Sequence, residues 1–156
     1  MESNTIHKLH QHGITPSVQR IAIFEYLQEH FTHPTADTIY LALQKSIPTL
    51  SKTTVYNTLR LLAQQGAIQE ISIDEKELHF DGDTTPHAHF QCLHCNAIFD
   101  LPIDIPLLAT MIQDDRFTII GTQIYCKGYC SCCKQTIGDT IFDTPQHYES
   151  NALLNN

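Results

Sequence analysis

The nine residues HAHFQCLHC, positions 87–95, carry three histidines and two cysteines, a density of nitrogen and sulfur donors suited to metal binding. In an extended chain, residues two apart share a face and residues three apart do not. His87 and His89 therefore point together while Cys92 points away, so the stretch serves two sites. Cys92 and Cys95 form a CxxC knuckle, and CSCC at 130–133 supplies its counterpart. Pairing Cys92/Cys95 with Cys130/Cys133 gives two CxxC units separated by 34 residues. Four thiolates in a tetrahedral array select Zn2+, and with no open position such a site is structural. Cys132 could replace one ligand, although the two-residue gap of CxxC fits a knuckle better. Cys126 and Cys132 are then packing or spare thiols.

The histidines need partners of their own. Asp81 lies on the polar face of ELHFD, opposite Leu78 and Phe80; Asp100 ends AIFD; His33 precedes a helix in THPTAD. The set His33, Asp81, His87, His89 and Asp100 offers three imidazoles and two carboxylates. That mixture favours a divalent ion of intermediate hardness, Fe2+, Mn2+ or Zn2+, and the carboxylates would neutralise its charge. The plainer reading is that His33 packs locally and the aspartates are solvated turns. His79 shares a strand face with Asp81 and is the rival ligand. His7, His10 and His12 read as solvated, and His94 has no geometric reason to ligate.

These side chains need elements to hold them. In ITPSVQRIAIFEYLQEH, Thr15 suits an N-cap and Pro16 the first helical position, with Val18, Ile21, Ile23, Phe24 and Leu27 as the apolar face. A weaker amphipathic segment, Ile6 to His12, precedes it. A further helix starts near Thr35, with Ile39, Leu41, Ala42 and Leu43 available for packing. Another starts after Ser51 and stops at Gly66, a suitable residue just past a helix end. AIQEISI and ELHFD then alternate about a turn at Asp74–Lys76. Helices followed by a two-stranded hairpin describe a winged helix-turn-helix. GDTTP reads as a hinge. Short strands at 87–91 and 96–101, a helix from Ile105 to Gln113 and a strand at Phe117–Tyr125 follow. The fold class is α+β, an N-terminal winged helix-turn-helix followed by a small α/β domain. The boundaries are 1–82, a hinge at 83–86, 87–143, and a flexible tail at 144–156.

The helix SKTTVYNTLRLLAQQG has two unlike sides. At 100° per residue, Val55, Leu59 and Leu62 face the core. Thr53, Asn57, Arg60 and Gln64 gather opposite, flanked by Tyr56, with no carboxylate among them. That inventory suits a major groove, where Arg, Asn and Gln read base edges. An ordinary solvated face is the alternative, and the wing that follows favours DNA. Charge is divided accordingly. Residues 1–68 carry five Lys/Arg against four Asp/Glu, whereas 69–156 carry four against thirteen, so the near-neutral part can approach phosphates and the acidic part points away.

The 156 residues make one compact unit or two small domains. No run of 18 apolar residues occurs, so no membrane span is expected. MESNTIHKLHQHG lacks the marks of a signal segment, so a cytoplasmic chain is expected, in which six cysteines would mean metal ligands rather than disulfides. A zinc hydrolase or deaminase would want HExxH or HxE beside its ligands, and neither motif occurs beside these candidates.

THPTADTIY, TTVYNTLRLL, HFD, HAHFQCLHC, IFD and GYCSCC, in this order over about residues 5–138, resemble the ferric uptake regulator (Fur) family. The resemblance implies a homodimeric repressor on a pseudo-palindromic double-stranded operator. It also implies a C-terminal dimerisation domain, a structural Zn2+ on the four cysteines and a regulatory metal on His33, Asp81, His87, His89 and Asp100. Thr53, Tyr56, Asn57 and Arg60 fall on its DNA-reading helix. Iron-sensing members usually have Glu where this chain has Asp81 and Asp100, whereas the peroxide-responsive (PerR) branch has Asp at both. A third site of many iron sensors uses a His and an Asp at positions that here are Pro86 and Ala88. Similarity to that branch implies Fe2+ or Mn2+ as the regulatory ion and His33 and His87 as the histidines that peroxide oxidises. The alternative is an iron- or manganese-responsive repressor without peroxide sensing. The additional Cys126 departs from the pattern and opens a thiol route.

Overall fold

The computed structural model describes residues 4–74, 76–111 and 114–137. Helices α1 (Asn4–Gln11), α2 (Val18–Glu29), α3 (Ala36–Leu43) and α4 (Lys52–Gln64) precede strands β1 (Gln69–Ile71) and β2 (His79–Asp81). Strands β3 (Ala88–Cys92) and β4 (Ile98–Leu101), helix α5 (Ile105–Met111), strand β5 (Tyr125–Gly128) and helix α6 (Ser131–Ile137) follow. The end of the expected second domain, 138–143, and the expected tail, 144–156, lie outside the described residues.

One apolar core holds the helices and the wing together. Leu9 of α1, Ile23 and Leu27 of α2, Ile39 of α3, Val55, Leu59 and Leu62 of α4 and Phe80 of β2 are all buried in it. Truncating a fully buried leucine such as Leu59 to alanine would cost about 2–5 kcal/mol. The α4 helix starts where Ser51 accepts from the Thr54 N–H at 3.1 Å and ends before Gly66, whose φ of 68° no β-carbon hinders.

Two local expectations need correction. Ser17, not Thr15, caps α2, accepting from the Arg20 N–H at 3.3 Å, so Pro16 lies outside the helix and Val18 is exposed. Leu41 and Ala42 face outward from α3, which packs through Ala36, Ile39 and Leu43.

Strands β1 and β2 pair antiparallel, Gln69 opposite Asp81 and Ile71 opposite His79, as a wing should. The second sheet runs β4-β3-β5, with β4 antiparallel and β5 parallel to the central β3. The expected strand at Phe117–Tyr125 is instead Tyr125–Gly128. Among the described residues, 117–123 pairs with no strand, Ile124 meets β3 only through its carbonyl, which accepts from the His89 N–H at 2.9 Å, and Phe117, Ile119 and Ile120 stay exposed. The two sheets meet in a small cluster of Ile71, Ile73 and Ile98, with Tyr125 packed on it.

Gly82 sets how closely β2 approaches α2. A β-carbon there would lie 2.6 Å from the Leu27 carbonyl oxygen, so only glycine fits. The Gln28 amide donates to the Gly82 carbonyl at 2.6 Å, and Lys8 donates to Gln28 at 2.9 Å. This chain of contacts fixes the backbone directly after Asp81.

Candidate metal centres

The four cysteines of the two CxxC units come together. Cys92 ends β3, Cys95 lies in the following turn, Cys130 follows β5, and Cys133 sits in α6. The turn closes through Asn96, whose φ is 59° and whose N–H donates to the Cys92 carbonyl at 2.9 Å. All four sulfurs lie within 4.8 Å of one another, with Cys95 and Cys130 at 3.9 Å. Tetrahedral Zn–S bonds near 2.3 Å place sulfurs about 3.8 Å apart, so the donors fit this ion. Cys126 and Cys132 are exposed and stand outside the group.

The thiols respond to this crowding. Backbone N–H groups of Cys130 and Cys95 draw the Cys92 thiol down to about 6 despite its burial. Burial and the surrounding sulfurs push Cys133 well up. Cys95 also rises: the Ala97 N–H favours its thiolate, but neighbouring Cys92, burial and Cys130 outweigh it. One thiolate forms readily and the next resist, because like charges crowd together in a partly buried cluster.

His33, Asp81, His87, His89 and Asp100 form the second cluster, their donor atoms likewise within 4.8 Å of one another. His33 comes from the α2–α3 loop and Asp81 from β2, so two candidate ligands belong to the winged part. His87 and His89 come from the start of the second sheet, and Asp100 from β4, directly opposite His89. All three Nε2 atoms turn inward. His33 Nε2 lies 2.7 Å from Asp100 Oδ1, and His87 Nε2 lies 3.0 Å from both Asp81 Oδ2 and His89 Nε2. Metal–ligand bonds of about 2.1 Å place adjacent donors about 3 Å apart, matching these spacings.

Local hydrogen bonds prepare several of these donors. His87 Nδ1 sits 2.8 Å from the Thr85 carbonyl, which only accepts, so Nδ1 carries the proton and Nε2 presents its lone pair. The Asp83 N–H donates to Asp81 Oδ1 at 2.8 Å, leaving Oδ2 for the cluster. Burial alone would raise the Asp81 carboxyl, but His89, the Asp83 N–H, His33 and His87 hold it below its ordinary value. Yet His33 Nε2 and Asp81 Oδ2 are buried without a properly aligned hydrogen bond. Buried polar atoms are rarely left so. Converging lone pairs with no donor between them fit a cation of the class the donor set selects.

The rival His79 stays outside this group, with Nδ1 2.7 Å from the His33 carbonyl and Nε2 3.9 Å from Asp74. His7, His10 and His94 are exposed, but His12 is not simply solvated, since its ring bonds the Gln65 carbonyl at 3.0 Å. On α4, Thr53, Tyr56, Asn57, Arg60 and Gln64 are all exposed, while Val55, Thr58, Leu59 and Leu62 are buried. The helix thus offers one uncommitted polar face.

The ferric uptake regulator family matches residues 11–126, most of the chain. The chain belongs to that family. The peroxide-responsive repressor PerR of Staphylococcus aureus strain Mu50 is 37% identical over 134 residues, covering 83% of this chain and 89% of the relative. PerR of strain USA300 is 36% identical over the same lengths. Among solved structures, the ferric uptake regulator of Pseudomonas aeruginosa with manganese is similar at a TM-score of 0.67 and 20% identity, covering 84% of this chain and 99% of that one. That of Helicobacter pylori gives 0.66 at 19%, covering 81% and 87%. At such identities these two structures speak for the fold alone.

Two contacts in this Fur-family chain carry no motif. Gln123 Nε2 donates to the Glu70 carbonyl at 3.0 Å, and the Tyr125 hydroxyl accepts from the Ser72 N–H. Both grip backbone atoms 53 positions away, beyond the reach of any sequence periodicity.

Proposed function

We propose that this chain is a metal-dependent, peroxide-responsive transcriptional repressor that binds a pseudo-palindromic double-stranded operator as a homodimer. Cys92, Cys95, Cys130 and Cys133 hold a structural Zn2+, and His33, Asp81, His87, His89 and Asp100 a regulatory Fe2+ or Mn2+. Thr53, Tyr56, Asn57 and Arg60 contact DNA. The domain limits that accompany this reading are 1–82, the hinge 83–86 and the dimerisation domain from 87.

The observation that carries the reading is the origin of the five inward-facing donors. His33 and Asp81 belong to the winged part, whereas His87, His89 and Asp100 belong to the other side of the hinge. Ligation across that hinge favours one relative orientation of the two parts. In a dimer it sets whether both α4 helices meet successive major grooves, about 34 Å apart. Aspartate at both carboxylate positions, together with relatives named as peroxide-responsive repressors, supports the peroxide branch.

Bound Fe2+ would supply one-electron cleavage of peroxide, chemistry that Mn2+ supplies far less readily. His33 and His87 present imidazole carbons beside the cluster and gain the oxygen atom as peroxide is reduced to water. An oxidised imidazole no longer presents the same donor, so the tie across the hinge loosens and DNA is released. The sensor is consumed, with no turnover.

Intact-mass and peptide analysis after low peroxide tests this. The Fe2+-loaded chain should gain about 16 Da on a peptide containing His33 or His87 and lose operator binding. The Mn2+-loaded chain should stay unmodified and bound. Intact histidines with oxidised Cys126 or Cys132 would replace the metal-centred reading with a thiol sensor. Metal-dependent binding with no oxidation at all would leave a plain iron- or manganese-responsive repressor.

A further inference from the structure

We infer that His79 is a positioning residue for His33, holding the strained backbone from which that imidazole enters the regulatory site. The inference rests on the metal reading above and deepens it.

His33 has a φ of 50°, in the left-handed region that residues bearing a β-carbon seldom occupy. It also precedes Pro34, whose ring steers the residue before it towards extended backbone. Two local preferences therefore oppose the conformation observed, and something outside the loop must hold it. The His33 ring gives little help, because neither of its buried nitrogens makes an aligned hydrogen bond, although Nε2 lies 2.7 Å from Asp100 Oδ1. Its aim is inherited from the main chain.

His79 supplies the hold. Its Nδ1 lies 2.7 Å from the His33 carbonyl oxygen, and since a carbonyl only accepts, Nδ1 carries the proton and donates. The contact is sheltered, with the His79 side chain only 15% exposed. The same strand continues the attachment, with the Phe80 N–H donating to the Pro34 carbonyl at 3.0 Å and His79 bridging to Thr35. Two residues beyond His79, on the same face of β2, stands Asp81. One strand thus provides one ligand directly and sets the backbone of a second. Released from His79, residue 33 can relax towards extended backbone and carry its imidazole out of the cluster.

The side-chain geometry makes the test specific. An asparagine amide can place a donor where Nδ1 lies, whereas glutamine places one nearer the Nε2 position and leucine has none. Zinc-replete dimers of wild type, His79→Asn, His79→Gln and His79→Leu, with Asp81→Asn as a ligand control, would be titrated with Mn2+ against a fluorescent chelator. Zinc content would be measured alongside. Long-range 1H–15N spectra of zinc-replete wild type without Mn2+ would read the His79 tautomer. The expected result is an Nδ1-protonated His79, Mn2+ binding about 10–100-fold weaker in the Leu and Gln variants, clear recovery in the Asn variant, and unchanged zinc. Leu-variant affinity equal to wild type, an Asn variant as weak as Leu, or an Nε2-protonated tautomer would each overturn the inference alone. A wild type that takes up no second metal, behaving like Asp81→Asn, would sink the metal reading and the inference with it.

Discussion

The Tyr125 hydroxyl accepts a hydrogen bond from the Ser72 backbone N–H at 3.1 Å, joining the first residue of β5 to the chain just past β1. Gln123 makes the parallel contact to the Glu70 carbonyl, and the Tyr125 hydroxyl donates to Gln123 Oε1 at 2.8 Å. Tyr125 is also the register partner of His89 and packs on the cluster of Ile71, Ile73 and Ile98. The second sheet therefore grips the wing through its own side chains. The orientation it favours is the one in which the five donors converge.

Tyr125→Phe tests that grip. The ring stays, so the apolar cluster survives, but two hydrogen bonds go, at a net cost of about 1 kcal/mol. If that energy favours the metal-bound orientation, the Mn2+ concentration for half-maximal operator binding should rise about fivefold. Fluorescence anisotropy at fixed salt would read the shift. An unchanged midpoint would mean that the grip is indifferent to orientation.

Asp81→Asn separates charge from shape. Asparagine can still accept the Asp83 N–H through Oδ1, so the turn at the end of β2 should persist. The regulatory site loses an anion and should bind Mn2+ at least about 100-fold more weakly, while the zinc stays. There is also a pH signature. The folded carboxyl lies below its ordinary 3.8, so in wild type it contributes stability that is present above the unfolded value and lost as pH falls through the lower folded value. The variant should lack that component in metal-free acid unfolding.

Zinc loading should release fewer protons than four thiols would give. Cys92, at about 6, is already a thiolate at neutral pH, whereas Cys133 and Cys95 are raised and must be deprotonated by the metal. Moving from about pH 7.5 to about pH 5 should add close to one released proton, as Cys92 becomes a thiol before loading. Calorimetry in buffers of different ionisation enthalpy counts them. A count that does not change across this range would contradict the Cys92 assignment. Cys95→Ser should lose the zinc and destabilise the second sheet, because the site ties β3 to β5 and α6.

The two donor clusters were legible in the sequence because the spacing of their histidines and cysteines encodes strand faces. His33 and Asp100 were candidates from residue type and position, and the family resemblance strengthened their place in the group. His79, the rival ligand, stands outside the cluster for an instructive reason. Its residue type and strand face match those of a ligand, and only the distance to the His33 carbonyl reveals that its ring serves the backbone. Thr15-Pro16 reads as a helix start, yet Ser17 caps the helix, which residue type alone does not reveal. Residues 117–124 look like a strand, but strand formation depends on a neighbour, which no local pattern specifies.

The same turns of α4 that bury Leu59 and Leu62 leave Arg60 outside. Its guanidinium could read a guanine edge in the major groove or neutralise a phosphate, and the two roles differ measurably. Arg60→Ala should leave the thermal midpoint almost unchanged, since surface substitutions usually fall within about 0.5 kcal/mol. If Arg60 reads a base, operator affinity should fall by about 1–3 kcal/mol while binding to random DNA changes little. If it meets phosphate, both affinities should fall together and the slope of log K against log salt should flatten by about one. Anisotropy titrations on operator and random duplexes at several salt concentrations distinguish the cases. Equal affinity on operator at every salt would take Arg60 out of the interface. The same set on Asn57→Ala, one turn earlier on the exposed face, would then decide whether α4 reads DNA at all.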